Sequence, residues 1–340
     1  MTSSQRSWST MAAAIGSAIC LSACGGAASA SPGATSNAGQ TLALTGFQAF
    51  NSHMAVNWQS NAGTADSHQA LQGLQFYDGG MIIDAGDSVT WTFRTGEPHT
   101  VTFLGPRPKP PSPFDPTNAM RFGGSSYDGS VYTSSGFGFA GQTYTLTFPK
   151  VGRYPYLCLL HGPGMHGVIV VQPAGSKYPK TQAFYNSDGA SAAFADLQHA
   201  YGSLQLFPYP IDGTHLAAGI SPAPSGGERS AEGTVLRFLD SHSATMPSTT
   251  IKVGSTVTWT NLSNNEVHTV SFAAVGHPIP PGPPDQPPAG GSTYDGSAYT
   301  NSGVMFPGAS YTLKFTKKGT FQYVCLFHDN VGMLGTVVVQ

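Results

Sequence analysis

Short runs in which apolar and polar residues alternate recur along most of the chain. Two clear examples are TVTWT at 256–260 and YTLKF at 311–315, and TVVV near the C-terminus is similar. These runs are rich in β-branched and aromatic residues, and Gly or Pro turns bound them, which is typical of half-buried strands. The pattern therefore predicts a mainly β protein.

One segment departs from the strand pattern. Residues 190–201, ASAAFADLQHAY, are rich in helix-forming residues and place Phe194, Leu197 and Tyr201 near one face of a helix. Asp188, just upstream, is a suitable N-cap. The sequence predicts one short helix in this region.

The strand-rich pattern occurs twice. SSYDGSVYTSSG at 125–136 corresponds to STYDGSAYTNSG at 292–303, and Tyr127 and Cys158 each recur 167 residues later, as Tyr294 and Cys325. This period is too long for a solenoid repeat and suits a duplicated domain of about a hundred residues. We therefore expect two β-sandwiches in tandem.

Composition narrows the functional classes. The 340-residue chain has a formal net charge of −2 and carries only 9% charged residues. It has no basic run or patch, which argues against binding to nucleic acid or electrostatic docking on acidic lipid.

The N-terminus predicts export. Residues 11–23 form an apolar stretch that is too short to span a bilayer and is typical of a secretory signal. The stretch ends in Leu21-Ser22-Ala23-Cys24-Gly25, which resembles the bacterial lipobox, and we expect Cys24 to be lipidated. The alternative is an ordinary signal peptide cleaved near AASAS. The preferred interpretation is a lipid-anchored protein on the extracytoplasmic face of a bacterial membrane or in the periplasm.

A second set of residues recurs in register with the duplication. In each copy a Cys is followed three residues later by a His and then by a Met, and another His lies upstream at a strand end. Thiolate and thioether favour Cu(I), while imidazole suits both oxidation states of copper, so the set predicts a copper site. The eight predicted ligands are His99, Cys158, His161 and Met165 in the first copy and His268, Cys325, His328 and Met333 in the second.

These motifs resemble the cupredoxins of the plastocyanin, pseudoazurin and amicyanin type. The segments Glu97-Pro98-His99-Thr100-Val101 and Glu266-Val267-His268-Thr269-Val270 resemble the upstream part of the family pattern, and Cys325 through Met333 resembles its C-terminal loop. The resemblance implies Greek-key sandwiches, two type 1 copper sites and electron transfer with redox proteins such as cytochromes or copper oxidases and reductases.

The resemblance also assigns roles to individual residues. It implies that His161 and His328 reach the surface through an apolar patch and serve as electron ports. Thr100 and Thr269, which follow the upstream histidines, are expected to support the ligand loops.

The first loop leaves one assignment open. Counting from Cys158 makes His166 equivalent to Met333, whereas counting back from the following strand makes Met165 equivalent to it. Loops accept deletions more easily than strands change register, so we prefer Met165 as the axial ligand and place His166 at the rim.

Two other functional classes use similar residues. Nitrite reductases and multicopper oxidases also contain linked cupredoxin domains, but they place a His beside the Cys, where this chain has Leu157 and Val324, and no His-x-His pair occurs. A copper carrier or storage protein is the other alternative, and no Met- or His-rich tail supports it. We expect an electron carrier rather than an enzyme.

The predicted fold class is all-β, with two Greek-key sandwiches and a short helical connector. Residues 25–40 suit a flexible tether, and Trp58 suggests that part of residues 41–70 packs on the first sandwich. The predicted boundaries are a signal peptide at 1–23, a tether at 24–45, a first domain with an N-terminal extension at 46–173, a connector at 174–232 and a second domain at 233–340.

Overall fold

The structure is a computed structural model that describes residues 54–205, 214–222, 233–239, 247–264, 266–280 and 287–340. It is built from strands, one long α-helix and two short 3-10 helices. The predicted signal peptide, Cys24 and the tether lie outside these residues. Within the described ranges, no helix has both the length and the apolar character needed to cross a bilayer.

The first half of the described chain forms nine strands. Alternation of buried and partly buried side chains is clear in Ser88–Phe93, where Val89, Trp91 and Phe93 face the core. Trp58 is buried on the first strand, as the sequence suggested. The strands are β1 Asn57–Ala65, β2 Leu71–Tyr77, β3 Gly80–Asp84, β4 Ser88–Phe93, β5 Thr102–Phe103, β6 Thr133–Ser134, β7 Thr143–Thr147, β8 Gly152–Cys158 and β9 Gly162–Gln172.

The second half repeats the arrangement with ten strands. Trp259 takes the core position of Trp91 and is likewise fully buried. The strands are β10 His215–Ile220, β11 Thr234–Leu239, β12 Ser248–Ile251, β13 Thr256–Leu262, β14 Ser271–Phe272, β15 Thr293–Tyr294, β16 Thr300–Asn301, β17 Ser310–Phe315, β18 Gly319–Val324 and β19 Leu334–Val339.

One nine-stranded sheet runs through both halves in the order β15-β17-β13-β10-β11-β2-β1-β4-β7. A five-stranded sheet, β3-β9-β8-β5-β6, packs on its first-half end, and another, β12-β19-β18-β14-β16, packs on its second-half end. Each pair of layers encloses its own hydrophobic core. The prediction of two β-sandwiches in tandem is confirmed.

The two sandwiches meet where β2 pairs with β11. The strands are antiparallel, with Gln72 opposite Thr234 and Leu71 opposite Val235. Gln72 and Thr234 occupy equivalent positions in the two copies. Each lies four residues before a Phe, and that Phe pairs with an Ala that directly precedes a glycine at a β-bulge. Equivalent positions of the two copies therefore pair with each other across the junction, as in a two-fold symmetric dimer.

The helix is longer than predicted. It spans Gln182–Gln205, and the side chain of Thr181 accepts a hydrogen bond from the Phe184 N–H at its start. Asp188 lies inside the helix, so its assignment as the N-cap was wrong. Helix α1 packs across β1, β2, β10 and β11, and therefore covers the junction of the sandwiches.

The predicted connector contributes a strand of the second sandwich. Residues 215–220 form β10 and pair with β11 and β13, so the second sandwich begins upstream of the predicted boundary at 233. The strand is hard to recognise in the sequence because three of its five buried residues, Ala217, Ala218 and Gly219, are small.

Candidate metal centres

The first donor set lies together at one end of the first sandwich. The Nδ1 atoms of His99 and His161 are 3.0 Å apart, and the Sγ atom of Cys158 is 3.3 Å from Nδ1 of His161. All three side chains are buried. The structure therefore brings together three of the four predicted ligands with their donor atoms converging on one point.

Backbone geometry explains why these residues meet. His99 follows β4 and forms a two-way backbone bridge with Gly138, while Cys158 is the last residue of β8. The Thr100 N–H donates to the Cys158 sulfur at 3.4 Å, and the Thr100 hydroxyl accepts from the Leu159 N–H at 2.9 Å. The predicted support of the ligand loop by Thr100 is confirmed.

The second donor set repeats the first. The Nδ1 atoms of His268 and His328 are 3.1 Å apart, and the Cys325 sulfur lies 3.4 Å from Nδ1 of His328 and 3.8 Å from Nδ1 of His268. Thr269 makes the matching contacts, donating to the Cys325 sulfur at 3.4 Å and accepting from the Leu326 N–H at 2.8 Å.

The methionines occupy equivalent places. Met165 and Met333 are fully buried and belong to the same core clusters as Cys158 and Cys325, respectively. His166 is exposed, and its Nδ1 atom lies 2.7 Å from the Pro163 carbonyl oxygen.

Nε2 of each upstream histidine lies within hydrogen-bond distance of a hydroxyl group. Nε2 of His99 lies 2.7 Å from the Thr95 hydroxyl, and Nε2 of His268 lies 2.8 Å from the Ser263 hydroxyl. Gly63, with a φ of 74°, provides the space behind His99, since a Cβ atom there would come within 2.5 Å of the ring nitrogen. These partners orient the rings with Nδ1 toward the cysteine.

The downstream histidines do not reach solvent. Only 8% of His161 and 1% of His328 is exposed, because the two residues face each other across the junction of the sandwiches. The expectation that they are surface electron ports was therefore wrong. The sequence could not reveal this, because it says nothing about which faces of the two sandwiches meet.

Two glutamates fill the space between these histidines. Oε1 of Glu97 is 3.1 Å from Nε2 of His161 and 3.1 Å from Nε2 of His328. Glu266 is more distant, with oxygen atoms 3.7 Å from each of the same two nitrogens. Both carboxyl groups are buried.

The buried groups perturb one another's protonation. Burial would raise the pKa of Glu97, but His328 and His161 hold it well below its usual range. Burial, together with the charge of Glu97, raises the pKa of Glu266 to about 8. Burial would raise the pKa of the Cys158 thiol, but His161 and His99 hold it well below its usual range. The pKa values of the two glutamates are thus shifted in opposite directions.

Further contacts close the junction. The Asn330 side chain donates to the Gly96 carbonyl oxygen at 2.8 Å. Phe114 of the first sandwich lies against Phe306 and Phe327 of the second, with ring centroids 6.2 and 6.3 Å away. Both His161 and His328 are buried at this junction.

Sequence reasoning noted Glu97 and Glu266 but gave them no role. The available signal was their recurrence two residues before each upstream histidine. Thr95 and Ser263 were harder to recognise as partners of the histidines. Both carry a hydroxyl group, but their sequence separations from His99 and His268 differ.

The donor sets fit copper. Two imidazole nitrogens and a thiolate converge in each centre, a fully buried Met lies in the same core, and a hydroxyl group orients one ring. A soft thiolate and thioether with two imidazoles is the donor combination of mononuclear blue copper sites.

Comparison with known proteins agrees with this assignment. Residues 63–172 and 242–340 both match the family model of copper binding proteins, plastocyanin/azurin family. A plastocyanin from Scenedesmus fuscus is 36% identical over 95 residues, covering 27% of this chain and 82% of that protein. A chloroplastic plastocyanin from Tetradesmus obliquus is 37% identical over 93 residues, covering 27% of this chain and 54% of that protein.

Solved structures of amicyanin variants are also similar. One of them, in the Cu(I) form, is 22% identical to this chain with a TM-score of 0.23, and the match covers 34% of this chain and 82% of that structure. The two family matches together span more than half of the residues. The chain therefore belongs to the plastocyanin/azurin family of copper-binding proteins and contains two family regions in tandem.

Proposed function

We propose that this protein is an electron carrier with two mononuclear type 1 copper sites. The observation that supports this most directly is the repeated convergence of two Nδ1 atoms and one cysteine sulfur in a buried centre. Copper would supply the one-electron couple between Cu(I) and Cu(II). The proposed ligands are His99, Cys158 and His161 with Met165, and His268, Cys325 and His328 with Met333.

The surroundings of these residues suit rapid electron transfer. Both histidine rings of the first centre have a hydrogen-bond partner at Nε2, which is Thr95 for His99 and Glu97 for His161. The Cys158 sulfur accepts the Thr100 N–H. Groups that are fixed in this way move little when the charge of the centre changes, which keeps the reorganisation energy small.

We propose that Met165 and Met333 are weak axial ligands. Each is fully buried in the core that contains its cysteine, whereas His166 lies exposed on the outside of the loop. The thioether would then tune the reduction potential of each site.

The cellular setting is also proposed. The lipobox-like sequence at Cys24 supports a lipid-anchored protein outside the cytoplasm, either in the periplasm or on the outer face of a bacterial membrane. In that setting it would exchange electrons with redox proteins such as cytochromes or copper oxidases and reductases.

Burial of the donors weighs against the two alternatives. A copper carrier must release its metal readily, whereas here every proposed ligand is at least nine-tenths buried. An enzyme of the nitrite reductase or multicopper oxidase kind needs a metal that is open to substrate. The further cluster of Glu97, Glu266 and His328 is buried at the junction.

The direct test is copper quantification with visible absorption and EPR spectroscopy on protein expressed without residues 1–24. We expect two coppers per chain and strong thiolate-to-copper charge transfer. A colourless protein after copper loading would disprove the proposal.

A pair of matched variants tests whether the sites are separate. Cys158→Ser should remove one copper and leave the absorption of the other, and Cys325→Ser should do the converse, because each donor set is complete within its own sandwich. Loss of both coppers from either substitution would mean that the sandwiches share a single site.

A further inference from the structure

One carboxylate at the junction contacts both metal centres. Glu97 belongs to the first sandwich, yet a single oxygen atom of it lies 3.1 Å from Nε2 of His161 and 3.1 Å from Nε2 of His328. Each of these histidines turns Nδ1 toward its own cysteine, so Nε2–H is the group that remains to donate. Glu97 therefore accepts a hydrogen bond from a proposed ligand of each centre.

We propose that Glu97 joins the two centres into one redox unit that exchanges electrons internally along His161, Glu97 and His328. This inference rests on the electron-transfer function proposed above. In each exchange one centre loses one electron and the other gains it, while no bond is made or broken and no proton moves. Glu97 is a positioning residue that holds both imidazoles and places negative charge beside both.

The short distances support this route. The two Nε2 atoms can be no farther apart than the two 3.1 Å contacts laid end to end. Only 8% of His161 and 1% of His328 is exposed, so the path is shielded from water. A carboxylate in such surroundings interacts strongly with nearby charge and stabilises the more positive, oxidised form of each centre.

Glu266 provides a matched control within the chain. It holds the equivalent sequence position in the second sandwich, but its oxygen atoms lie 3.7 Å from both histidine nitrogens. That separation is beyond normal hydrogen-bond range, so the junction is asymmetric although the sequence motif is repeated. Substitution of Glu266 should therefore affect the centres less than the same substitution of Glu97.

A metal ion between the glutamates is the competing explanation for this cluster. Oε2 of Glu97 and Oε1 of Glu266 are buried and have no hydrogen-bond partner among the described residues. A metal bound there through Nε2 of His328, however, would require that histidine to give up its remaining N–H proton while Nδ1 binds copper. Hydrogen bonding to Glu97 requires no such step and accounts for the 3.1 Å contacts.

The first experiment measures reduction potentials in the full chain. Each centre is titrated alone, the first in a Cys325→Ser background and the second in a Cys158→Ser background. We expect Glu97→Gln to raise the potential of both centres, because the negative charge is lost from both, and Glu266→Gln to cause smaller shifts. A change in the first centre alone would overturn the proposal, since Glu97 would then serve only its own sandwich.

The second experiment measures electron exchange in the full chain with both copper centres intact. After pulsed reduction, the electron should redistribute between the centres at a rate that does not depend on protein concentration. Glu97→Ala should slow this step on the order of tenfold more than Glu266→Ala, because the imidazoles lose their shared partner. A rate proportional to protein concentration would overturn the proposal.

Two controls separate the possible failures. Thermal unfolding before copper loading shows whether each variant folds, and Glu97→Gln preserves the size of the side chain if Glu97→Ala does not fold. Failure to bind copper would reject the proposed function, whereas two bound coppers with independent behaviour would reject only the internal exchange. A third metal equivalent that disappears in Glu97→Gln would show that the cluster is a metal site and would also overturn the proposal.

Discussion

Strand register decides which side chain faces the first donor set. His166 pairs with Leu157 across β8 and β9, just as Leu334 pairs with Val324 across β18 and β19. Successive residues point to opposite faces of a sheet, so the residue before His166 points inward. The strand pairing thus supports the alignment counted back from the strand, in which Met165 is equivalent to Met333. The one-residue deletion therefore lies in the loop.

Variants of Met165 and His166 test this placement. In a Cys325→Ser background, Met165→Leu should raise the reduction potential and alter the EPR signal, because the proposed weak axial donor is lost. His166→Leu should change little, because its side chain is exposed. The opposite ranking in redox titration and EPR would show that His166 is the ligand.

Asp87 ties the first strand to the rest of its sandwich. Burial would raise the pKa of Asp87, but hydrogen bonds from the Val56 N–H at 2.8 Å, the Trp58 indole N–H at 2.9 Å and other donors hold the pKa below its usual value. The ionised form is therefore favoured in the folded protein.

This shift predicts acid sensitivity. The unfolded chain binds a proton at Asp87 more readily than the folded chain does, so the stabilisation is present above the unfolded pKa of about 3.9 and is lost as pH falls toward the lower folded value. Asp87→Asn should lower the free energy of unfolding at pH 7 by about 1–3 kcal/mol. It should also flatten the stability profile below pH 4 in denaturant titrations, and an unchanged profile would contradict this role.

At the level of elements, helix α1 shows the limits of sequence patterns. Its second half carries helix-forming residues, but its first half contains Gly189, which weakens the pattern. Glycine is favoured here because the Asp78 carboxylate, which accepts the Gly189 N–H at 3.1 Å, would lie only 2.7 Å from a Cβ atom at this position. A tertiary contact therefore overrides local propensity, and only the structure reveals it.

Two glycines in this helix give opposite predictions. Gly189→Ala should destabilise the protein by about 1–3 kcal/mol, since the added methyl group collides with Asp78. Gly202→Ala should stabilise it by about 0.5–1 kcal/mol, because no atom lies within 4 Å of the added Cβ and alanine favours the helix. Thermal unfolding of both variants provides the comparison, and equal shifts would show that propensity alone governs both sites.

At the scale of the whole molecule, the duplication was evident in the sequence and the junction was not. Repeated residues such as Tyr127 and Tyr294 indicated two sandwiches, and the predicted metal ligands were identifiable because each of them has a counterpart of the same type in the other copy. The pairing of β2 with β11 depends on main-chain hydrogen bonds between edge strands, which carry little side-chain signal. The contact of Glu97 with His328 follows from that pairing and so could not be predicted.

The continuous sheet predicts cooperative unfolding. Because β2 pairs with β11, helix α1 packs on both sandwiches and Asn330 bonds to Gly96, neither half can unfold without breaking contacts to the other. Calorimetry should show one transition whose calorimetric and van't Hoff enthalpies agree. Two separate transitions would indicate that the sandwiches are energetically independent.

The closed junction also sets the order of assembly. The donor residues of both centres are buried, and the edges of His161 and His328 are covered by the opposite sandwich, so a metal ion must enter before the halves dock or during a transient opening. Uptake by the folded protein should then reach a plateau as the copper concentration rises, and mild denaturant should accelerate it. Stopped-flow absorption can follow this step. Uptake that stays proportional to copper concentration would reveal an entry path that needs no opening.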